Sequence, residues 1–154
     1  MNSEAFPAAA KGSAKAVRLI AIRPDPLDPA EVLAAVADPA AGGVNLFSGV
    51  VRDHDHGAAV DHLEYLAHPT AEARLEEVAA AVAAEFDVRA LAAVHRTGVL
   101  HVGDIAVLVA VAAAHRDQAY AASRALIDRL KAEVPIWKHQ YLADGAEEWV
   151  DPTA

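Results

Sequence analysis

The chain has 154 residues, enough for one domain with a real hydrophobic core and too few for two comfortable ones. Its apolar fraction is 55%, but only 5% is aromatic and much of the remainder is alanine, so the core must be built from small and β-branched side chains. A formal charge of -9 excludes a broad nucleic-acid surface, which needs concentrated Lys and Arg, and the absence of cysteine removes disulfides, thiolate metal sites and thiol nucleophiles together.

The first sixteen residues, MNSEAFPAAAKGSAKA, lack both the apolar stretch of a secretory leader and the bulk to bury themselves, and read as a flexible tail before one domain over residues 17–154. No apolar run approaches the roughly 20 residues of a membrane span, so the expectation is a soluble, cytoplasmic protein that binds neither membrane nor nucleic acid. Val17 to Ile22 reads as a strand. A short helix follows, with Asp28 as N-cap, Pro29 at its first position, and Val32, Leu33 and Val36 facing inward. AGGVNLFSGVVR, Ala41 to Arg52, reads as a strand that stops at the polar DHDHG, a segment without periodicity that reads as a mobile loop.

The next strand is DHLEYLAH, with Leu63, Tyr65 and Ala67 on one face, and Thr70 caps a long helix whose inner face is Leu75, Val78, Ala79, Val82 and Phe86. ALAAVHRTGVL and DIAVLVAVAAA read as two strands joined by the turn His101-Val102-Gly103, the second apolar enough to be central. A helix from about Arg116 to Glu133 is broken by Pro135, and IWKHQYL, the turn ADGAEE and a final WV strand close the chain. This order describes an α+β fold with a mixed or antiparallel sheet and helices packed on it better than a doubly wound sheet; with neither GxGxxG nor a Walker loop, nucleotide binding has little support.

In so acidic a chain the informative cations sit at element ends: Arg52 after a strand, His115 and Arg116 at a helix start, Lys131 and Lys138 on either side of Pro135. A helix start already favours an anion, so a phosphate beside His115 and Arg116 would meet backbone N–H groups, the helix dipole and two side chains; solvated surface side chains are the plain alternative. Lys131 flanks the apolar stripe of its helix. A partly buried stem and a second cation, Lys138, would both disfavour its protonated form, whereas snorkelling surface lysines are the plain alternative here too. His54, His56, His62 and His68, with Asp53 and Asp55 as further donors, match no closed zinc pattern, and a loop or lid over an anionic substrate is the better reading.

FSGVVRDHDHG, LEY, HRTGVLHVGD, AAAHRDQAY and LKAEVPIWKHQ, followed by the tryptophan of EEWV, together resemble the large, catalytic subunits of molybdopterin synthase. The resemblance runs from about Val17 to Val150 and implies an α/β-hammerhead-like, homodimeric α+β fold. It implies a sulfurtransferase without metal or cofactor that moves two sulfurs onto cyclic pyranopterin monophosphate to form the molybdopterin dithiolene. The sulfur would arrive as the C-terminal thiocarboxylate of a small ubiquitin-like partner, giving a heterotetramer with two small subunits; a cysteine-free enzyme must be handed its sulfur. By resemblance Lys131 lies where the partner's tail ends, Lys138 is a catalytic lysine, Arg52, His115 and Arg116 hold the anionic pterin, and Phe47 lines the pocket.

Many members carry an acidic residue two positions after the second lysine of the last motif. Gln140 stands here, preceded by His139, which implies that a carboxylate contact to Lys138 is missing. Arg116 and Lys131 are fifteen residues apart on one helix, about 22 Å, so the expectation is a site shared between two copies. The alternative from another class is a non-catalytic dimer that docks a ubiquitin-like tail in a basic groove.

Overall fold

The computed structural model describes residues 14–150, arranged as nine strands and three α-helices after a single 3-10 turn at Ala14–Ala16. Most of the predicted tail, residues 1–13, lies outside the described residues; Ala16, its last residue, is buried in the core. In chain order the elements are β1 (Val17–Arg23), α1 (Pro29–Ala35), β2 (Gly43–Val50), β3 (His54–Asp55), β4 (Ala58–Ala67), α2 (Ala71–Glu85), β5 (Ala90–Arg96), β6 (Gly98–His101), β7 (Ile105–Ala113), α3 (Arg116–Glu133), β8 (Ile136–Leu142) and β9 (Glu147–Val150).

The α+β expectation holds, with the strands divided between two sheets. The first has the order β1-β5-β7-β2, with β1 parallel to β5 and the other pairs antiparallel. In the second, β4 pairs with β8 on one side and with β3 and β6 on the other, and β9 extends β8.

Period-two alternation on the central strands builds the core. Val107, Val109 and Val111 of β7, with Leu91 and Ala93 of β5, face α2 and α3 and meet Leu75, Val78, Val82, Leu126 and Leu130. The intervening Leu108, Ala110, Ala112, Ala90, Ala92 and Val94 face the other way and meet Val32 of α1 and Val36, its C-cap. The sheet is therefore sandwiched between a two-helix layer and one short helix, which the small alanines allow to approach closely. β7 is buried over nearly its whole length, as its apolar sequence predicts.

Several local expectations change. ALAAVHRTGVL is two strands in different sheets: β5 pairs with β7, the chain leaves that sheet at Thr97, whose N–H donates to the Arg23 carbonyl, and β6 joins β4. The predicted turn at His101-Val102-Gly103 therefore joins β6 to β7. Asp28 caps α1 as predicted, its carboxylate accepting from the Ala30 N–H at 2.9 Å, but Leu33 faces solvent while Val32 and Val36 are buried. Thr70 makes no side-chain cap to α2; its hydroxyl turns back to His68 Nδ1 at 2.8 Å. No helix among the described residues is long and apolar enough to cross a membrane.

Candidate functional site

Lys131 and Lys138 come together because α3 stops one turn after Lys131. Pro135 ends the helix, and its carbonyl accepts from the His68 N–H at 3.0 Å, fixing the turn that starts β8 alongside β4. Arg52 follows β2, whose exit is pinned by two backbone hydrogen bonds: Val51 N–H donates to the Asp104 carbonyl and Gly103 N–H to the Val51 carbonyl.

These three cations line one cavity of about 240 Å³, together with Asp55, Tyr65 and Gln140. Its apolar lining includes Val51, Leu63 and Ala106, which pack with buried Leu100 in one cluster where the two sheets meet. Gly49 lines the cavity where β2 breaks register with β7, and a Cβ there would lie 2.5 Å from Val107 Cγ1. The volume is small beside the roughly 300–1,000 Å³ of sites that enclose a drug-sized ligand.

The segment DHDHG, expected to be a mobile loop, is a tight hairpin. His54 and Asp55 pair with Ala59 and Ala58, and the two-residue turn His56-Gly57 has φ of 49 and 80, both positive as a type I′ turn requires. The hairpin carries Asp55 into the cavity, where its side chain is only 13% exposed. Oδ2 accepts from Gln140 Nε2 at 2.6 Å and lies 4.0 Å from Lys138 Nζ; Oδ1 lies 3.5 Å from Arg52 Nη2 and 3.6 Å from His56 Nε2. The carboxylate contact that Gln140 implied to be missing is thus present, delivered from β3 and held by Gln140 itself. The His56-Gly57 pair beside an alternating strand was the signal that fixes Asp55.

Burial also differs from expectation. Lys131 is exposed, while the Lys138 side chain is 27% exposed. It is Lys138 whose basicity the site lowers: burial disfavours its ammonium most, the Asp55 carboxylate opposes this, and the charges of Lys131 and Arg52 add to the lowering. Burial pushes the Asp55 carboxyl up, but the Gln140 hydrogen bond and the positive charges of Lys138, His56 and Arg52 outweigh it and hold the group below the usual carboxylate range. Tyr65, opposite Lys138 across the β4–β8 pair, is pushed up to about 12 by burial and by Asp55, so its phenol keeps its proton at neutral pH. Behind it, edge-on at a ring-centroid distance of 4.8 Å, lies buried His95.

The remaining predicted site residues lie elsewhere. Phe47, 41% exposed on β2, is outside the cavity lining, with Cε1 beside Gly49. His115 is the N-cap of α3 and Arg116 its first residue, at the end of the helix remote from Lys131 and also outside the cavity. Of the loop histidines, His54 lines the cavity and His56 lies beside Asp55, and all four have local polar partners. His54 and His62 engage Asp53 and Asp61 at 2.6 and 2.7 Å, His62 stacks on Tyr141, and His68 engages Thr70. Among the described residues no group of three or more His, Asp or Glu is placed to hold a metal ion.

The arrangement suits an anion set beside a proton-transfer group. Three cations face a single carboxylate, and the half-buried lysine among them releases its proton more readily than a solvated one.

The family model described as MoaE protein matches residues 22–133. Molybdopterin synthase catalytic subunit 1 of Mycobacterium tuberculosis is 44% identical over 126 residues, covering 81% of this chain and 85% of that protein. The crystal structure of molybdopterin synthase from Staphylococcus aureus superposes with a TM-score of 0.80 at 33% identity, covering 85% of this chain and 96% of that one. A complex of subunits 1 and 2 of the molybdopterin-converting factor from Helicobacter pylori shares the fold, with a TM-score of 0.63 at 20% identity, covering 88% of this chain and 89% of that one. With the matched region spanning most of the chain and the relatives matched over most of their own length, this protein belongs to the MoaE family, that of molybdopterin synthase catalytic subunits.

Proposed function

We propose that this protein is a cytoplasmic molybdopterin synthase large subunit that transfers two sulfurs from a thiocarboxylated, ubiquitin-like small subunit to cyclic pyranopterin monophosphate. The observation that carries the reading is the convergence of Arg52, Lys131 and Lys138 on one cavity in a chain of net charge -9. In each transfer the thiocarboxylate sulfur bonds to a pterin carbon as a C–O bond there breaks, the oxygen leaving with the opened phosphate in one transfer and as water in the other; a second water then cleaves the acyl C–S bond, so the partner's tail leaves as a carboxylate and its sulfur stays on the product. Lys131 at the mouth suits the anionic tail, Arg52 the phosphate, and Lys138, with its lowered basicity, the proton transfers that accompany ring opening.

His115 and Arg116 enter this reading through a second copy. β2 is an edge strand with one neighbour among the described residues, and it exposes Val44, Phe47 and Val50. Gly43 at its start abuts the backbone of His115 and Arg116, while Gly49 and Val50 at its end line the cavity. Antiparallel pairing of two β2 strands about a twofold axis near Phe47 would lay the His115-Arg116 corner of one copy beside the cavity of the other, with Phe47 between them. Two small subunits on such a dimer give a heterotetramer.

Reconstitution tests the reading. The wild-type protein, a thiocarboxylated small subunit and the cyclic pterin are mixed and molybdopterin is measured. Product is expected from the wild type, and Lys138→Ala should bind the small subunit undiminished while losing product by at least 100-fold. Partner binding with no product from the wild type would leave the non-catalytic docking dimer as the correct description.

A further inference from the structure

Among the described residues that line the cavity, Asp55 is the one carboxylate beside the three cations, and it is held by more than an incidental ion pair requires. The I′ turn at His56-Gly57 fixes the end of β3, and Gln140, only 2% exposed, donates to Asp55 Oδ2 at 2.6 Å. Gln140 and Lys138 are two residues apart on β8 and share a face, so the buried amide fixes the carboxylate directly beside the lysine. Arg52, by contrast, is 76% exposed and reaches Oδ1 only at 3.5 Å, too loosely to determine where the carboxylate sits.

We propose that Asp55 is the positioning carboxylate of this site, held by Gln140 so that one oxygen faces Lys138 and the other Arg52. The inference rests on reading the cavity as the sulfur-transfer site and adds to it the group that holds the lysine in place. The charged groups acting on Lys138 are Asp55 from β3, Arg52 after β2, Lys131 from α3 and Glu148 from β9, with Tyr65 of β4 and the His54 and His56 imidazoles also close to the cavity. Of these, Asp55 is the anion nearest the catalytic lysine and is fixed by a buried partner. Its charge opposes burial and the neighbouring cations, and keeps Lys138 protonated to a higher pH than it would otherwise reach.

The test moves the carboxylate to the other partner of the pair. Asp55→Asn keeps an oxygen for the Gln140 amide and removes the charge, and Asp55→Asn/Gln140→Glu returns a carboxylate from β8. Two readouts are taken on each protein: the pH profile of product formation in the reconstituted complex, and the titration of the Lys138 ε-methylene followed by NMR. Asp55→Asn should lower the Lys138 midpoint by about one pH unit and move the matching limb of the rate profile the same way, and the double variant should recover at least half of both. The inference is overturned if the Lys138 midpoint in Asp55→Asn equals that of the wild type, or if the double variant titrates like Asp55→Asn. Should Asp55→Asn not fold, the double variant against the wild type decides, a matching midpoint supporting the inference and a lowered one overturning it. If the wild type makes no product while the midpoint still moves, the sulfur-transfer reading fails and the positioning of Lys138 by Asp55 stands.

Discussion

His95 offers a quantitative test of how the fold treats the residues behind the cavity. Its ring is 6% exposed, Nδ1–H donates to the Arg96 carbonyl at 2.7 Å, and the ring meets Tyr65 edge-on. Burial disfavours the imidazolium most and the positive charge of Lys131 adds to this, against a smaller opposing effect of the carbonyl, so the group titrates at about 4 instead of 6.5. The folded state thus binds this proton more weakly than the unfolded chain does. Stability attributable to His95 is therefore complete above pH 6.5, declines as pH falls towards 4, and is constant below that. A shift of about 2.5 units at roughly 1.4 kcal/mol per unit amounts to about 3 kcal/mol, a large part of the 5–15 kcal/mol that holds a domain of this size together. Urea unfolding of the wild type and His95→Gln at pH 7.5, 6.5, 5.5 and 4.5 measures it, because the other histidines and the carboxylates cancel in the difference. Between pH 7.5 and 4.5 the wild type should lose about 2–3 kcal/mol more than the variant. Parallel pH dependences in the two proteins would refute the buried, neutral imidazole and with it the account of the packing behind Tyr65.

Two backbone positions give further tests. Gly49→Ala places a methyl 2.5 Å from Val107 Cγ1, on a stiff β-branched side chain in the core, and should cost about 1–3 kcal/mol in urea unfolding. Combined with Val107→Ala the loss should fall short of the two single losses added together by at least about 0.5 kcal/mol, since the second change removes the clashing atom. Gly57→Ala forces a side chain into the left-handed region at φ 80, with no contact to relieve or worsen it, and should cost about 1 kcal/mol. Because the same turn presents Asp55, this variant should also slow product formation in the reconstituted complex, whereas a surface turn with no link to the cavity would leave the rate untouched.

The local elements were legible where one physical signal dominated. Pro29 after Asp28 marked the start of α1, Pro135 the end of α3, and the unbroken apolar run of β7 its central place, because ring geometry, an N-cap carboxylate and burial on both faces each leave a direct trace in residue type. Leu33 went astray because the periodicity of a seven-residue helix barely distinguishes one flank from the other. β5 and β6 merged although Arg96, Thr97 and Gly98 interrupt the apolar pattern of ALAAVHRTGVL, because a short polar step reads equally as a bulge within one strand, and the change of sheet at Thr97 is made by pairing partners far away in the chain.

For the site, the sequence alone marked three of the cations that line the cavity. An acidic, cysteine-free chain keeps Arg52, Lys131 and Lys138 at the ends of its elements, and their motifs pointed to the family. Only the tertiary structure decided which of them meet, that Lys138 rather than Lys131 is the half-buried lysine, and that the carboxylate beside it is Asp55, eighty-odd residues away. Residue type sets what a side chain can do, but its burial and the charge around it come from strands that the chain brings together at long range, and no local pattern encodes those distances.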